Sequence, residues 1–457
     1  MHTPLRFAAP LTGAAGALGV VGYLGGPHLF WSDGDPAMHV ALGRAILSAG
    51  GLPRVDPYLQ GGPAFHDHEW LFDALAAQLW RVGGPLALTT LIALIFAATA
   101  AELARQVSTQ ARPLAAFPAL GWALAVAPMH LQARPHVLTW AFLVFGRRLI
   151  ERKTTPILGW VALGAVWANL HGGFLAGIVL LGLLGGWRPA LGLALGSLAN
   201  PEGPWLHLGI AQFLSNDDVL SHTEDFLTPL PGVRGFPMVA FVVGEIALAA
   251  ALARPTRRDV AWAACLVILT ASTVRNAPLV ALFVAPDIAR WLQAALDRWR
   301  TPGAVEAMAR VADRIRRLAP LATPAAVLAL LIALIRLPAP AETAPAPLEA
   351  LPALPSSGVV FATFHWGAWV ALYRPEIPIV THPLTANYAD AGPRTREYLL
   401  VHNAEEGWEA AFDARRVDVA WLAPDAALVT ALASKGWAEA WRDAQSVILL
   451  RPAAAAP

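Results

Sequence analysis

Apolar runs of membrane-spanning length recur along most of this chain, and they settle its fold class before any motif is read. The hydrocarbon core of a bilayer takes about 20 apolar residues per helix, somewhat fewer where helices are buried in a bundle. By that measure about eleven segments qualify. They lie near 7–26, 84–104, 114–131, 135–150, 156–171, 173–187, 189–200, 236–253, 259–274, 277–294 and 319–337. With 56% hydrophobic and 14% charged residues among 457, the chain carries far more apolar surface than a soluble domain of this length can use. The expected fold is an α-helical polytopic membrane protein. Segment 7–26 is read as an uncleaved first helix, because no small-x-small cleavage site precedes the polar stretch after it.

Charge then orients the spans. Cytoplasmic loops collect arginine and lysine. Placing the N-terminus and Arg6 in the cytoplasm puts Arg105 and Arg112, then Arg147, Arg148, Arg152 and Lys153, then Arg188, then Arg254, Arg257 and Arg258 on the same inner side. The basic stretch Arg298 to Arg317 reads as an amphipathic helix on the inner leaflet. A net charge of +1 gives no reason to invoke nucleic acid. The single cysteine, Cys265, excludes an internal disulfide and a cysteine metal cluster. Lysine is nearly absent (Lys153 and Lys435) and Arg, Ala, Leu and Pro are abundant, which suggests a GC-rich bacterial genome and hence the bacterial inner membrane.

With this orientation the chemically capable side chains all fall outside. They are Asp33, Asp35, His66, His68, Glu69, Arg134, His136, Asn169, His171, Asn200, Glu202, His222, Glu224, Asp225 and Arg275. Polar groups near membrane depth are costly and mark sites, so one outward-facing polar cavity is expected. The first outer loop, 27–83, is too long for a plain connector and carries two helical segments, 36–49 and 69–82, expected to lie flat at the headgroups. A second long outer segment covers 200–234. Domain organisation follows: a membrane domain over 1–337, a Pro/Ala-rich semi-rigid linker over 338–355 and a small extracytoplasmic α/β domain over 356–457. In that tail, 359–364, 377–380, 417–422 and 446–450 read as strands, and 394–411 and 425–434 as helices.

Asp33-x-Asp35 offers two carboxylates just past the first span, suited to holding a divalent ion, magnesium or manganese, or to taking a proton from a hydroxyl. The bland alternative is a loop whose aspartates cap a helix. His39 shares a face with Asp35 if the helix begins at Pro36. In His66-Asp-His-Glu69 the spacing is wrong for a helical zinc site. There, His68 or Glu69 is expected to cap the second loop helix while the other faces the cavity. Arg134-Pro-His136 starts a span at the headgroup plane, where a forked donor suits a phosphate. Asn169 and His171 end one helix as the next begins, and Arg275 is a second anion contact. His365 is read as structural. No glycine loop for a nucleotide is present.

Taken in order, the outer Asp-x-Asp, His68-Glu-Trp-Leu71, Ala133-Arg-Pro135, Asn169-Leu-His-Gly-Gly-Phe174 and Asn200-Pro-x-Gly203 resemble a bacterial branch of the GT-C membrane glycosyltransferases. So does the tail, where Phe364-His-Trp-Gly367 is expected to lead into a strand. Where related tails tend to carry an acidic-Gly-Arg turn, this one has Thr381-His-Pro383. The resemblance covers nearly the whole chain. It implies inverting transfer of a sugar from a polyprenyl-phosphate donor to a glycan, lipid or protein acceptor at the extracytoplasmic face. It also implies an aspartate of the first outer loop as general base, Asp35 before Asp33. Arg134 and Arg275 are assigned to the lipid phosphate by charge and sidedness. His39, His68, Glu69, His136, Asn169, His171 and Asn200 complete the expected substrate-binding set. A transporter of lipid-linked sugar, or an assembly scaffold, is the non-enzymatic alternative.

Overall fold

The computed structural model describes residues 3–299, 302–336, 346–384, 387–388 and 390–452. Helices dominate. In chain order they begin with α1 (Thr3–Leu29), α2 (Asp35–Ala49), α3 (Trp70–Gln110), α4 (Pro113–Val126), α5 (His136–Arg152) and α6 (Ile157–Leu170). Next come α7 (Phe174–Gly185), α8 (Trp187–Gly196), α9 (Trp205–Leu214), α10 (Asp217–Leu220), α11 (Phe236–Leu252), α12 (Arg257–Ser272) and α13 (Asn276–Arg298). Then follow α14 (Pro302–Leu318), α15 (Ala322–Arg336), α16 (Trp366–Tyr373), α17 (Ala391–His402), α18 (Trp408–Ala414) and α19 (Ala427–Ser434). Every apolar segment expected to span holds a helix. Among the described residues three stretches are long and apolar enough to cross a membrane by themselves: Trp70–Gln110, Pro113–His130 and Asn276–Arg298.

The chain divides into two compact units. The first comprises Met1–Leu29, Thr89–Ala199 and Ser221–Pro338, and the second Phe30–Leu88, Asn200–Leu220 and Ala339–Pro457. In the first, α1 packs along α15, α4 along α13 and α6 along α8. Small residues let α6 and α8 approach closely. A Cβ on Gly164 would meet the Leu193 carbonyl oxygen at 2.5 Å, and one on Gly196 the Val161 oxygen at 2.0 Å. A buried ion pair ties α5 to α13: Arg147 Nη1 donates to Asp287 Oδ2 at 2.7 Å, and Trp262 Nε1 of α12 donates to the same oxygen. Removing one partner would strand a charge among apolar helices, so the pair fixes their register.

The second unit is built around a four-stranded sheet, β1 (Val359–Ala362), β2 (Val417–Leu422), β3 (Ala438–Arg442) and β4 (Val447–Leu450), in the order β1-β2-β4-β3. β1 and β2 are parallel and the other pairings antiparallel. Four sequence expectations change here. The stretch after Phe364-His-Trp-Gly367 is helix α16, not a strand. Segment 377–380 forms only isolated bridges, because Pro378 has no N–H to give a ladder. Ile379 nevertheless joins Val360 on one side and Leu59 of the outer loop on the other. The expected helix 394–411 is two, α17 and α18, broken where Ala404 and Gly407 take positive φ. β3 was not foreseen. Residues 337–345, which fall in or beside the expected linker, lie outside the described set, and a 3-10 turn occupies Leu348–Ala353.

Helix α3 bends at Gly83-Gly84, where Gly84 has φ 58° and ψ −148°, a region closed to residues with a Cβ. Residues before the bend belong to the second unit, whereas those from Thr89 on belong to the first.

Candidate active site

Two polar clusters stand out, one in each unit. In the second unit α2 starts at Asp35-Pro36, where proline suits a first turn whose N–H groups have no helical partner. Asp33 Oδ1 accepts the Asp35 N–H at 2.9 Å and so fixes the start of the helix. Asp35 and His39, one turn apart, are both buried. Against them packs the first part of α3. His39 Nδ1 lies 2.6 Å from Asp73 Oδ1, and His39 Nε2 lies 3.9 Å from Glu69 Oε2. Glu69 Oε1 lies in turn 3.6 Å from Nε2 of the half-buried His68. The Phe72 ring meets the imidazole edge-on at 5.1 Å.

Just before this part of α3, Asp67 Oδ1 accepts the Glu69 N–H at 3.0 Å, and Glu69 stands at the cap position, its carbonyl accepting the N–H groups of Phe72 and Asp73. The carboxyls of Asp67 and Asp73 are both buried and share a side-chain hydrogen bond, for which one of the two carries the proton. Burial, and next the charge of Asp73, push the Asp67 carboxyl well above the usual carboxylate range. The result is a chain of titratable groups, Asp67, Asp73, His39, Glu69 and His68, running from the interior toward solvent.

The same loop is anchored further along by Asp56. Its Oδ1 accepts N–H groups from Tyr58 and Leu59, each at 2.8 Å, and its Oδ2 lies 2.7 Å from Nε2 of the fully buried His382. Leu384 N–H donates to His382 Nδ1, which leaves the proton on Nε2, facing the carboxylate. Burial raises the Asp56 pKa, but the contact with His382 and the N–H groups of Tyr58 and Leu59 outweigh it and hold the carboxyl below its ordinary value.

In the first unit the cluster is cationic. Arg134 Nη1 donates to Gln132 Oε1 at 3.0 Å and to Asp225 Oδ2 at 3.4 Å. His130 Nδ1 lies 3.6 Å from the other oxygen of Asp225. The rings of His130 and His136 stack at 4.2 Å, and His136 Nε2 donates to the His130 carbonyl at 2.6 Å. Arg275 lays its guanidinium 4.5 Å over the Phe226 ring, while its backbone N–H donates to the Asp225 carbonyl. Thr139 Oγ1–H and Gly173 N–H both donate to His171 Nδ1, which assigns the ring proton to Nε2. His130 Nε2 is buried without a hydrogen-bond partner among the described residues.

The structure therefore groups Asp33, Asp35, His39, His68 and Glu69 in one unit and Arg134, His136, His171 and Arg275 in the other. Two expected ligand contacts are engaged in holding the backbone. Asn169 Nδ2 donates to the carbonyls of Ala165 and Ala199, and Asn200 closes a turn through Gly203 O and Glu202 N–H. Asp67, Asp73 and His130 were missed. For Asp73 a signal existed, its i, i+4 spacing from Glu69 on a helical stretch; nothing local marked His130. As a metal donor set, Asp33 and Asp35 are two carboxylates with no third protein ligand beside them: among the described residues no group of three or more His, Cys, Asp or Glu side chains is placed to hold an ion. Two carboxylates suit magnesium, which keeps several waters or phosphate oxygens of its own.

No family model and no curated protein matches the chain. Among solved structures it is similar to ArnT from Cupriavidus metallidurans in the apo state, over 94% of this chain and 95% of that one, at 15% identity and a TM-score of 0.44.

Proposed function

We propose that this chain is an integral-membrane glycosyltransferase of the GT-C type, moving a sugar from a polyprenyl-phosphate donor to an acceptor at the extracytoplasmic face of a bacterial inner membrane. The observation that carries the reading is the cluster in an apolar helical unit where Arg134 and Arg275 gather with His130, His136, His171 and the Asp225 carboxylate. A pair of arginines at membrane depth calls for an anionic ligand. A polyprenyl phosphate, tethered by its tail, brings one there. Arg134 and Arg275 take the phosphate oxygens and stabilise the charge that develops as it departs.

Asp35 is the general base. An acceptor oxygen attacks the anomeric carbon, the bond from that carbon to the phosphate oxygen breaks and takes its electron pair with it, and Asp35 receives the hydroxyl proton. Asp33 fixes the helix start that presents Asp35. A magnesium or manganese ion held by Asp33 and Asp35 would add positive charge to this loop. The glycan, lipid or protein nature of the acceptor is a matter for the assay. The role of the cationic cluster is tested by titrating polyprenyl phosphate into the purified protein. Arg134→Ala and Arg275→Ala are each expected to weaken binding about 10–100-fold, the worth of a hydrogen bond to a charged group. Affinities equal to wild type would remove the phosphate from this site.

A further inference from the structure

Helix α9 was not anticipated and has no part in the chemistry above. It has ten residues, Trp205–Leu214, with no Asp, Glu, Lys or Arg among them. At about 1.5 Å per residue it is about 15 Å long, half of what a bilayer core requires. An apolar helix too short to cross is either a core helix or one that lies in the membrane interface or dips into it. It is not a core helix: Leu206 is its sole buried residue, while Trp205 is 68%, Leu208 48% and Leu214 50% exposed.

Both flanks of α9 are pinned within the second unit by polar groups. Before it, Glu202 lies 3.5 Å from His66 and 3.7 Å from Arg54, and Asn200 holds the turn into the helix. After it, Asp218 pairs with Arg396, and Asn216 packs so tightly on Gly392 that a Cβ there would approach its side chain to 2.8 Å. With a carboxylate anchored at each end, neither end can dip into hydrocarbon, so the helix lies flat. The membrane is close by along the chain. The apolar segment 189–200 ends five residues before Trp205, a reach of at most about 18 Å even when fully extended. A tryptophan leading an uncharged apolar helix is the residue the headgroup level favours.

We propose that α9 is an interfacial helix, seated in the headgroup region of the outer leaflet with Trp205, Leu208 and Leu214 in lipid. The occupant of this face is the bilayer itself. The test uses the full chain in lipid nanodiscs with Cys265→Ala, so that single spin labels can be placed by Leu208→Cys and Leu214→Cys, with Lys435→Cys on the tail as the water-exposed reference. Labels on α9 are expected to relax with dissolved oxygen more than with a water-soluble nickel chelate, at a depth of about 5–10 Å below the phosphates. The reference label should show the opposite preference. Chelate-dominated relaxation on α9 would overturn the proposal, and so would shielding from both reagents, which would mean that a second copy or another protein covers the face. Either labelled position decides the matter if the other variant fails to fold.

Discussion

His382 and Asp56 are far apart in sequence yet share one buried contact, and the consequences are local and pH-dependent. Removing one partner of a buried pair typically costs about 3–5 kcal/mol, so His382→Ala should lower thermal stability in detergent at neutral pH by that order. The direction with pH follows from Asp56. Its folded-state pKa is depressed, so its contribution is whole above the unfolded value of about 3.9 and is lost as pH falls through the folded one. The gap in melting temperature between wild type and Asp56→Asn should therefore close in acid; a gap independent of pH would contradict the assignment. At this scale the sequence told half the story. Asp35 and His39 were legible because they sit one helical turn apart, and Glu69 because it closes the polar run His66-Asp-His-Glu69. His382 and Asp56 were not, since no local period links a loop aspartate to a histidine more than three hundred residues later. Asn169 was legible as a polar residue at a helix end, but its Nδ2 bonds to the Ala165 and Ala199 carbonyls were not.

Helices α2 and α3 meet with almost no room between them. A Cβ at Gly43 would come within 1.8 Å of the Asp73 carbonyl oxygen and 2.8 Å of the Ala77 Cβ, and backbone cannot move aside as a side chain can. Gly43→Ala is expected to cost about 1–3 kcal/mol through overpacking and to part His39 from Asp73. The imidazole NMR signal of His39 should shift with the lost melting temperature, and an unchanged signal would show that the pairing does not depend on this approach. Helix positions themselves were readable from apolar period and proline. The bend at Gly83-Gly84 was legible only as a boundary, since the same two glycines also fit a plain loop. Segment 377–380 looked like a strand by composition and was denied a ladder by Pro378, while residues 394–411 kept a helical pattern straight through the break at Ala404 and Gly407.

At the scale of the molecule, hydropathy exposed the membrane character and the helical class, because burying apolar surface in lipid leaves its mark on every span. Grouping was not exposed. The tail belongs to one compact unit with residues 30–88 and 200–220, an association made by pairings such as Ile379 with Leu59 that leave no pattern in either segment. Sidedness rests on arginine counts, and it predicts that alkaline phosphatase fused after Pro457 is active in cells while a green fluorescent protein at the same point stays dark. The reverse pattern would put the tail in the cytoplasm and remove the extracytoplasmic reaction with it. The central claim is that Asp35 is the base of a sugar transfer from a lipid phosphate. Its most direct test is the rate of sugar transfer from a panel of polyprenyl-phosphate sugars, with an acceptor extract and with or without magnesium or manganese, by wild type and Asp35→Asn. The account predicts transfer by wild type, a loss of about 10²–10⁴-fold in the folded variant, and donor binding unchanged between the two. Transfer at the wild-type rate by Asp35→Asn, or none from any donor by wild type, would contradict it.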